Sequence, residues 1–158
     1  MSINLTKRAE KVGIILAKRG LTTVPPVRVG CALDVSGAAQ GFYTSNVMQE
    51  TIDRLLAVAL KFDDNGELDA WLFHDDILPQ LPTITEADEG TYVKKVIMKQ
   101  SGLWGGTNYA PVLQEVMEFY FGANQPAPKA KFSIGGLFKP KPAPVAASTT
   151  VTPAMLLF

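Results

Sequence analysis

Between Pro26 and Asp34 runs Val27-Arg28-Val29-Gly30-Cys31-Ala32-Leu33, a short and mostly apolar stretch. It reads as a strand buried on both faces, and strands of that kind belong to parallel sheets. Pro25-Pro26 break the chain before it, and the polar turn Asp34-Val35-Ser36-Gly37 ends it. A parallel partner requires a crossover, and the sequence supplies one. Val47, Met48, Ile52, Leu55, Leu56, Ala59 and Leu60 recur at three- and four-residue steps, which is the stripe of a packed helix. Asp63-Asp64-Asn65-Gly66 stops that helix and turns the chain. Leu68 to Phe73 then alternates as a second strand, with Trp71 and Phe73 on one face. Strand, helix and strand make a βαβ unit, whose crossover is expected to be right-handed.

The rest of the chain is arranged around this unit. Ala9, Val12 and Leu16 predict a helix over 6–19, with Thr6 or Asn4 as cap and Gly20 as stop. Past Pro79 and Pro82, Ile84 to Glu89 reads as a short edge segment and Tyr92 to Lys99 as a short helix with Val93, Val96 and Ile97 inward. A glycine-rich loop, Gly102 to Asn108, leads into a further helix. Pro111 lies in its first turn, where a missing N–H costs little. Val112, Leu113, Val116, Met117 and Tyr120 are its expected inner stripe. Residues 122–153 change character, with six prolines, four lysines and no acid. They read as a flexible loop. Inside it, Phe132 to Phe138 is an apolar island, either a docking peptide or an unused patch. Ala154 to Phe158 is the start of a further core strand.

Composition narrows the function classes. Lys+Arg and Asp+Glu are 15 each, which disfavours a nucleic-acid binder driven by bulk charge. The charge is segregated: residues 1–30 carry six bases against Glu10, and residues 50–89 carry eleven acids against Arg54 and Lys61. Solvated faces account for such blocks. The single cysteine, Cys31, forbids an internal disulfide and sits in apolar surroundings that predict a buried thiol. No apolar run approaches the roughly 20 residues that span a bilayer, and the N-terminus lacks a secretory layout, so a cytoplasmic location is expected.

Candidate chemistry lies at Asp34-x-Ser36, directly after the buried strand, because ligands gather at the carboxyl ends of strands in open α/β sheets. Asp34 offers a hard carboxylate and Ser36 a hydroxyl. Thr107 adds a second hydroxyl if its loop reaches the same edge. Such an oxygen-only set suits Mg²⁺ with its retained waters. On spacing alone the simpler reading is that Asp34 caps its own turn. The only histidine, His74, has no second histidine and no cysteine other than Cys31, expected to be buried, with which to build a zinc site, and it reads as a surface residue at a strand end. Asp75-Asp76 follows at a carboxyl-terminal strand end and reads as a solvated turn in preference to a source of negative field near the metal edge. Asp63 to Gly66 lacks the ligand alternation of a calcium loop. Trp104 is either an exposed anchor or a residue packing into the core.

Three separated blocks carry a family resemblance. Leu33-Asp34-Val35-Ser36-Gly37 with Gly41-Phe42-Tyr43 and Val47-Met48-Gln49-Glu50 resembles the start of a von Willebrand factor A (vWA) domain. The match is to the branch found in bacterial tellurium-resistance (TerF-like) proteins. Ala59 to Phe73, and Gly105-Gly106-Thr107-Asn108-Tyr109-Ala110-Pro111-Val112, are similar to the same branch and follow in the family's order. The resemblance implies a Rossmann-like three-layer α/β fold with a mainly parallel central sheet. It implies a metal-ion-dependent adhesion site in which an Asp-x-Ser-x-Ser turn, a Thr from a second loop and an Asp from a third hold Mg²⁺. An acidic side chain of a partner protein completes the coordination. Asp34, Ser36 and Thr107 match. The second serine is Ala38 here, and the third-loop Asp would follow a strand resembling Ala154–Phe158 but is absent from the sequence. The expected sheet therefore has three or four strands and is incomplete on its C-terminal side, as in a fragment of a longer product or in a chain whose missing layer comes from a partner. The segments are then an N-terminal helix and linker (1–24), a vWA-like core (25–121), the Pro/Lys-rich loop (122–153) and the start of a strand (154–158).

The expected function is a protein-interaction module without turnover, assisted by weakly held Mg²⁺, of the tellurium-resistance or stress-response type. It binds neither nucleic acid nor membrane. The alternative is a metal-independent adaptor that recruits a partner through the Pro/Lys-rich segment. A Mg²⁺-dependent phosphohydrolase with Asp34 as nucleophile is disfavoured, because Ser36 stands where a second aspartate would be needed and no lysine is placed by motif to steady a phosphoryl group.

Overall fold

The computed structural model describes residues 3–21, 23, 25–63, 65–122 and 154–157. Strands β1 (Arg28–Asp34), β2 (Asp69–Phe73) and β3 (Ala154–Leu157) form a three-stranded sheet in the order β2-β1-β3. Both pairings are parallel: Gly30 to Asp34 face Asp69 to Phe73, and Arg28 to Cys31 face Ala154 to Leu157. The helices are α1 (Ile3–Lys18), α2 (Gln40–Thr44), α3 (Val47–Phe62), α4 (Tyr92–Lys95) and α5 (Ala110–Phe121). The arrangement is mixed helix and strand around a parallel sheet, as the β1–α3–β2 pattern predicts. The short α2 is a departure, since nothing in its five residues announces a helix.

Strand alternation sorts the core into two clusters. Val29, Cys31 and Leu33 of β1 and Ala70 and Leu72 of β2 join Ile52, Leu56 and Ala59 of α3 in the larger one. Leu5 of α1 belongs to it as well. Ala32, Trp71 and Phe73 point the other way and meet Val112 and Val116 of α5. Both strand faces are therefore covered, as the apolar β1 sequence requires. The expected inner stripe of α5 needs correction. Leu113 and Met117 are 42% and 47% exposed, while Val112 and Val116 are buried. The helix packs on β2 along one narrow line, and residues turned by one position find no described element to cover them.

Two further expectations change. Ile84 makes a single antiparallel bridge with Leu68, and Glu86–Asp88 is a 3₁₀ turn closed by reciprocal Thr85–Asp88 bonds, so 84–89 is not an edge strand. The predicted helix over 92–99 is split into α4 and a 3₁₀ turn at Ile97–Lys99, although Val93 and Ile97 do face inward. The readings of 123–153 and of Phe158 lie outside the described residues.

Cys31 is free and fully buried. Burial, helped by the nearby charge of Asp69, pushes its thiol up to about 12. Native protein is expected to resist iodoacetamide at mildly alkaline pH and to react once denatured. The unfolded chain releases this proton near pH 9 while the folded chain holds it. Stability therefore stands at its plateau below about pH 9 and falls as pH rises towards 12. Urea midpoints measured across that range check the sign.

Candidate functional site

The carboxyl end of β1 is where the parallel sheet exposes strand ends and where three turns meet. The first is the turn after β1. Asp34 Oδ1 accepts the Ser36 N–H at 2.7 Å, so the aspartate does cap its own turn. Oδ2 makes no hydrogen bond among the described residues. The Asp34 carbonyl accepts the Tyr43 hydroxyl at 2.8 Å. Tyr43 is buried, and burial, followed by the charge of Asp34, raises its phenol well above the ordinary value, so it stays a donor.

This turn is less polar in its setting than in its sequence. Val35 and Ser36 are 0% and 2% exposed, so the polar turn that the sequence predicts is buried here. The cause is non-local. The glycine-rich loop runs alongside, with Ser36 bridged in parallel to Gly105, Gly37 N–H donating to the Gly105 carbonyl at 2.9 Å and Trp104 N–H to the Val35 carbonyl at 2.8 Å. Ser36 Oγ is thereby buried with no hydrogen-bond partner among the described residues. A buried hydroxyl without a partner carries a desolvation cost of about 1–3 kcal/mol. A ligand at this position would remove it.

Thr107 is exposed, two residues along the loop from the Gly105 that bridges Ser36. The fold thus carries the Thr107 loop to the same sheet edge as Asp34 and Ser36. Ala38 is exposed beside them and contributes no donor. The third turn, His74 to Asp76, follows β2. The His74 carbonyl accepts the Asn108 N–H at 2.7 Å, and Asp75 Oδ1 accepts the Gly106 N–H at 3.0 Å. Asp75 thus does more than sit in the solvated turn its sequence suggests, and no local signal announces this tie. The Asp75 carboxyl is held below the usual range by hydrogen bonds from its own N–H and that of Gly106.

Trp104 resolves towards packing. It adopts a left-handed φ of 74° and meets Tyr43 edge-on at 5.4 Å. Left-handed backbone costs a bulky residue energy, and here the loop's bonds to Val35 and Gly37 hold it in place. Beside the turn, Ala32, Leu33, Asp34, Phe42, Phe73 and Tyr109 line an apolar slot of about 300 Å³ along the part of β1 that β3 does not reach.

No group of three His, Cys, Asp or Glu side chains suited to a metal occurs among the described residues. The candidate donors of the Asp34 turn and the Thr107 loop are instead one carboxylate and two hydroxyls. That hard, low-charge set fits Mg²⁺ retaining several waters, and it fits a weak site. No helix among the described residues is long and apolar enough to cross a membrane.

Comparison with known proteins identifies the family. The family described as the vWA domain found at the TerF C-terminus matches residues 26–141. A Bacillus subtilis (strain 168) protein, described as uncharacterized protein YcbR, is 36% identical over 121 residues. That alignment covers 75% of this chain and 48% of the relative, so the chain spans about half the relative's length. No solved structure matches the chain.

Proposed function

Given that the chain belongs to the family of vWA domains found at the TerF C-terminus, we propose that it is a protein-interaction module whose partner site is the edge formed by Asp34, Ser36 and Thr107. The observation that carries this reading is Ser36 Oγ, buried and unpartnered at the strand end where the family's metal site would lie. Asp34 and the two hydroxyls would hold Mg²⁺, which when bound offers an open position to a carboxylate of the partner. Asp34 supplies the one anionic ligand, and its Asx turn fixes Ser36 beside it. Tyr43 steadies the Asp34 backbone from beneath. The module binds without turnover. Its fold on this reading is the family's three-layer Rossmann-like arrangement, with the site at the carboxyl end of β1.

A metal-independent adaptor is the second reading, favoured by the missing hydroxyl at Ala38 and by the use of Asp34 Oδ1 within its own turn. Titration of the chain with Mn²⁺, followed by the loss of the free-ion EPR signal, separates the two. Saturable uptake is expected, abolished in Asp34→Ala and weakened in Ser36→Ala. Uptake unchanged in Asp34→Ala would remove the metal from this account.

A further inference from the structure

We infer that Asp75 is a positioning residue for Thr107, clamping the Gly105–Asn108 loop to the turn that follows β2. The inference rests on the metal-site reading above. Thr107 stands between two anchored backbone groups: the Gly106 N–H donates to Asp75 Oδ1 at 3.0 Å, and the Asn108 N–H donates to the His74 carbonyl at 2.7 Å. The residue is thus flanked on both sides by bonds to one turn.

That turn is itself closed by hydrogen bonds. The Asp76 N–H donates to His74 Nδ1 at 3.1 Å, the Ile77 N–H to Asp76 Oδ1 at 2.8 Å, and the His74 N–H to the Asp76 carbonyl at 2.9 Å. Its contact with the loop is close enough that a side chain at position 105 would displace the His74 ring or the Asp75 carboxylate. A Cβ built on Gly105 would lie 2.7 Å from His74 Nδ1 and would also strike Asp75 Oδ1. The His74 ring lies against the Asp75 carboxylate and is only 17% exposed, so it fills the corner rather than standing in solvent. On its other side the loop is tied to Val35 and Gly37. Thr107 is exposed, and no hydrogen bond of its own backbone or side chain appears among those described, so its placement depends on these neighbours.

Asp75 acts here as an acceptor, and the asparagine variant separates that role from its charge. Three readouts test the inference: amide exchange at Gly106 in the metal-free chain, Mn²⁺ affinity, and Mn²⁺ affinity in a Thr107→Ala background. In Asp75→Ala, Gly106 exchange is expected to quicken and Mn²⁺ affinity to fall about 10–100-fold, the size of effect found when a residue supporting a metal ligand is lost. Asp75→Asn is expected to restore most of both, because its amide oxygen still accepts the Gly106 N–H. Combined with Thr107→Ala, Asp75→Ala is expected to add nothing further. Unchanged Gly106 exchange in Asp75→Ala would overturn the inference while leaving the metal site standing. Asn behaving like Ala, or full additivity with Thr107→Ala, would overturn it too. A wild-type chain that takes up no Mn²⁺ would instead bring down the metal reading, and this inference with it.

Discussion

Asp69→Ala is expected to destabilise the fold by about 3 kcal/mol, near the lower end of what breaking a buried ion pair costs. Asp69 is 2% exposed at the first position of β2. Its Oδ2 accepts from Arg28 at 2.8 Å and from the Tyr120 hydroxyl at 2.7 Å. One carboxylate thereby joins the start of β1, the start of β2 and the last turn of α5. Alanine at this position leaves Arg28 facing Asp63 at 3.8 Å and strips the Tyr120 hydroxyl of its acceptor. The Arg28 side chain keeps 32% exposure, so water recovers part of the loss and holds the cost to the lower end. Asp69→Asn, which retains an acceptor, should cost about half as much. Urea unfolding measures both. An Asp69→Ala cost below about 1 kcal/mol, the range of an ordinary hydrogen bond, would show that the three elements are held by apolar packing alone.

Trp71→Ala should be comparable or worse, at about 3–5 kcal/mol, because a fully buried indole leaves a cavity its neighbours cannot close. Trp71 is the centre of the smaller core cluster. It meets Phe119 and Tyr120 of α5 edge-on at 5.2 and 5.7 Å. Across the sheet it fills the space that a side chain on Gly30 would need, since a Cβ there would come within 2.7 Å of the ring. The indole Nε1 is buried without a hydrogen-bond partner among the described residues. Trp71→Phe removes that donor while keeping most of the volume, and is expected to stay within about 1.5 kcal/mol of wild type. If Phe proved as damaging as Ala, Nε1 must have a partner after all. The comparison needs only the two urea midpoints.

The parts of this fold legible in the sequence are those fixed by local pattern. Val29, Cys31 and Leu33 on one side of β1, and Trp71 and Phe73 on one side of β2, follow from period-two geometry once both are strands. Helical period likewise locates α3, but it does not say how wide a surface awaits a helix, which is why Leu113 and Met117 of α5 are exposed against expectation. The acids were the least legible. Asp53, Asp63, Asp69 and Asp75 sit in a stretch that reads as a solvated acidic face, yet each binds a backbone or side-chain donor distant in sequence. Asp53, for example, accepts from Gln49 and from the Gly90 N–H and so ties α3 to the approach of α4.

The candidate site divides in the same way. Spacing alone gives the Asx turn of Asp34, and the structure forms it. The burial of Ser36 depends on a bridge to Gly105 and is invisible in any local window. Thr107 belongs to the site only if its loop reaches the same edge, a condition no local window can decide, and the fold shows the loop stitched to Val35 and Gly37 and to His74 and Asp75.

The most direct test of the central claim is anomalous diffraction from crystals of this chain soaked in Mn²⁺. The account predicts a peak at the end of β1, about 2.0–2.3 Å from an Asp34 carboxylate oxygen and Ser36 Oγ, with Thr107 turned towards it. A map with no peak at that edge, and a water hydrogen-bonded to Ser36 Oγ instead, would contradict it.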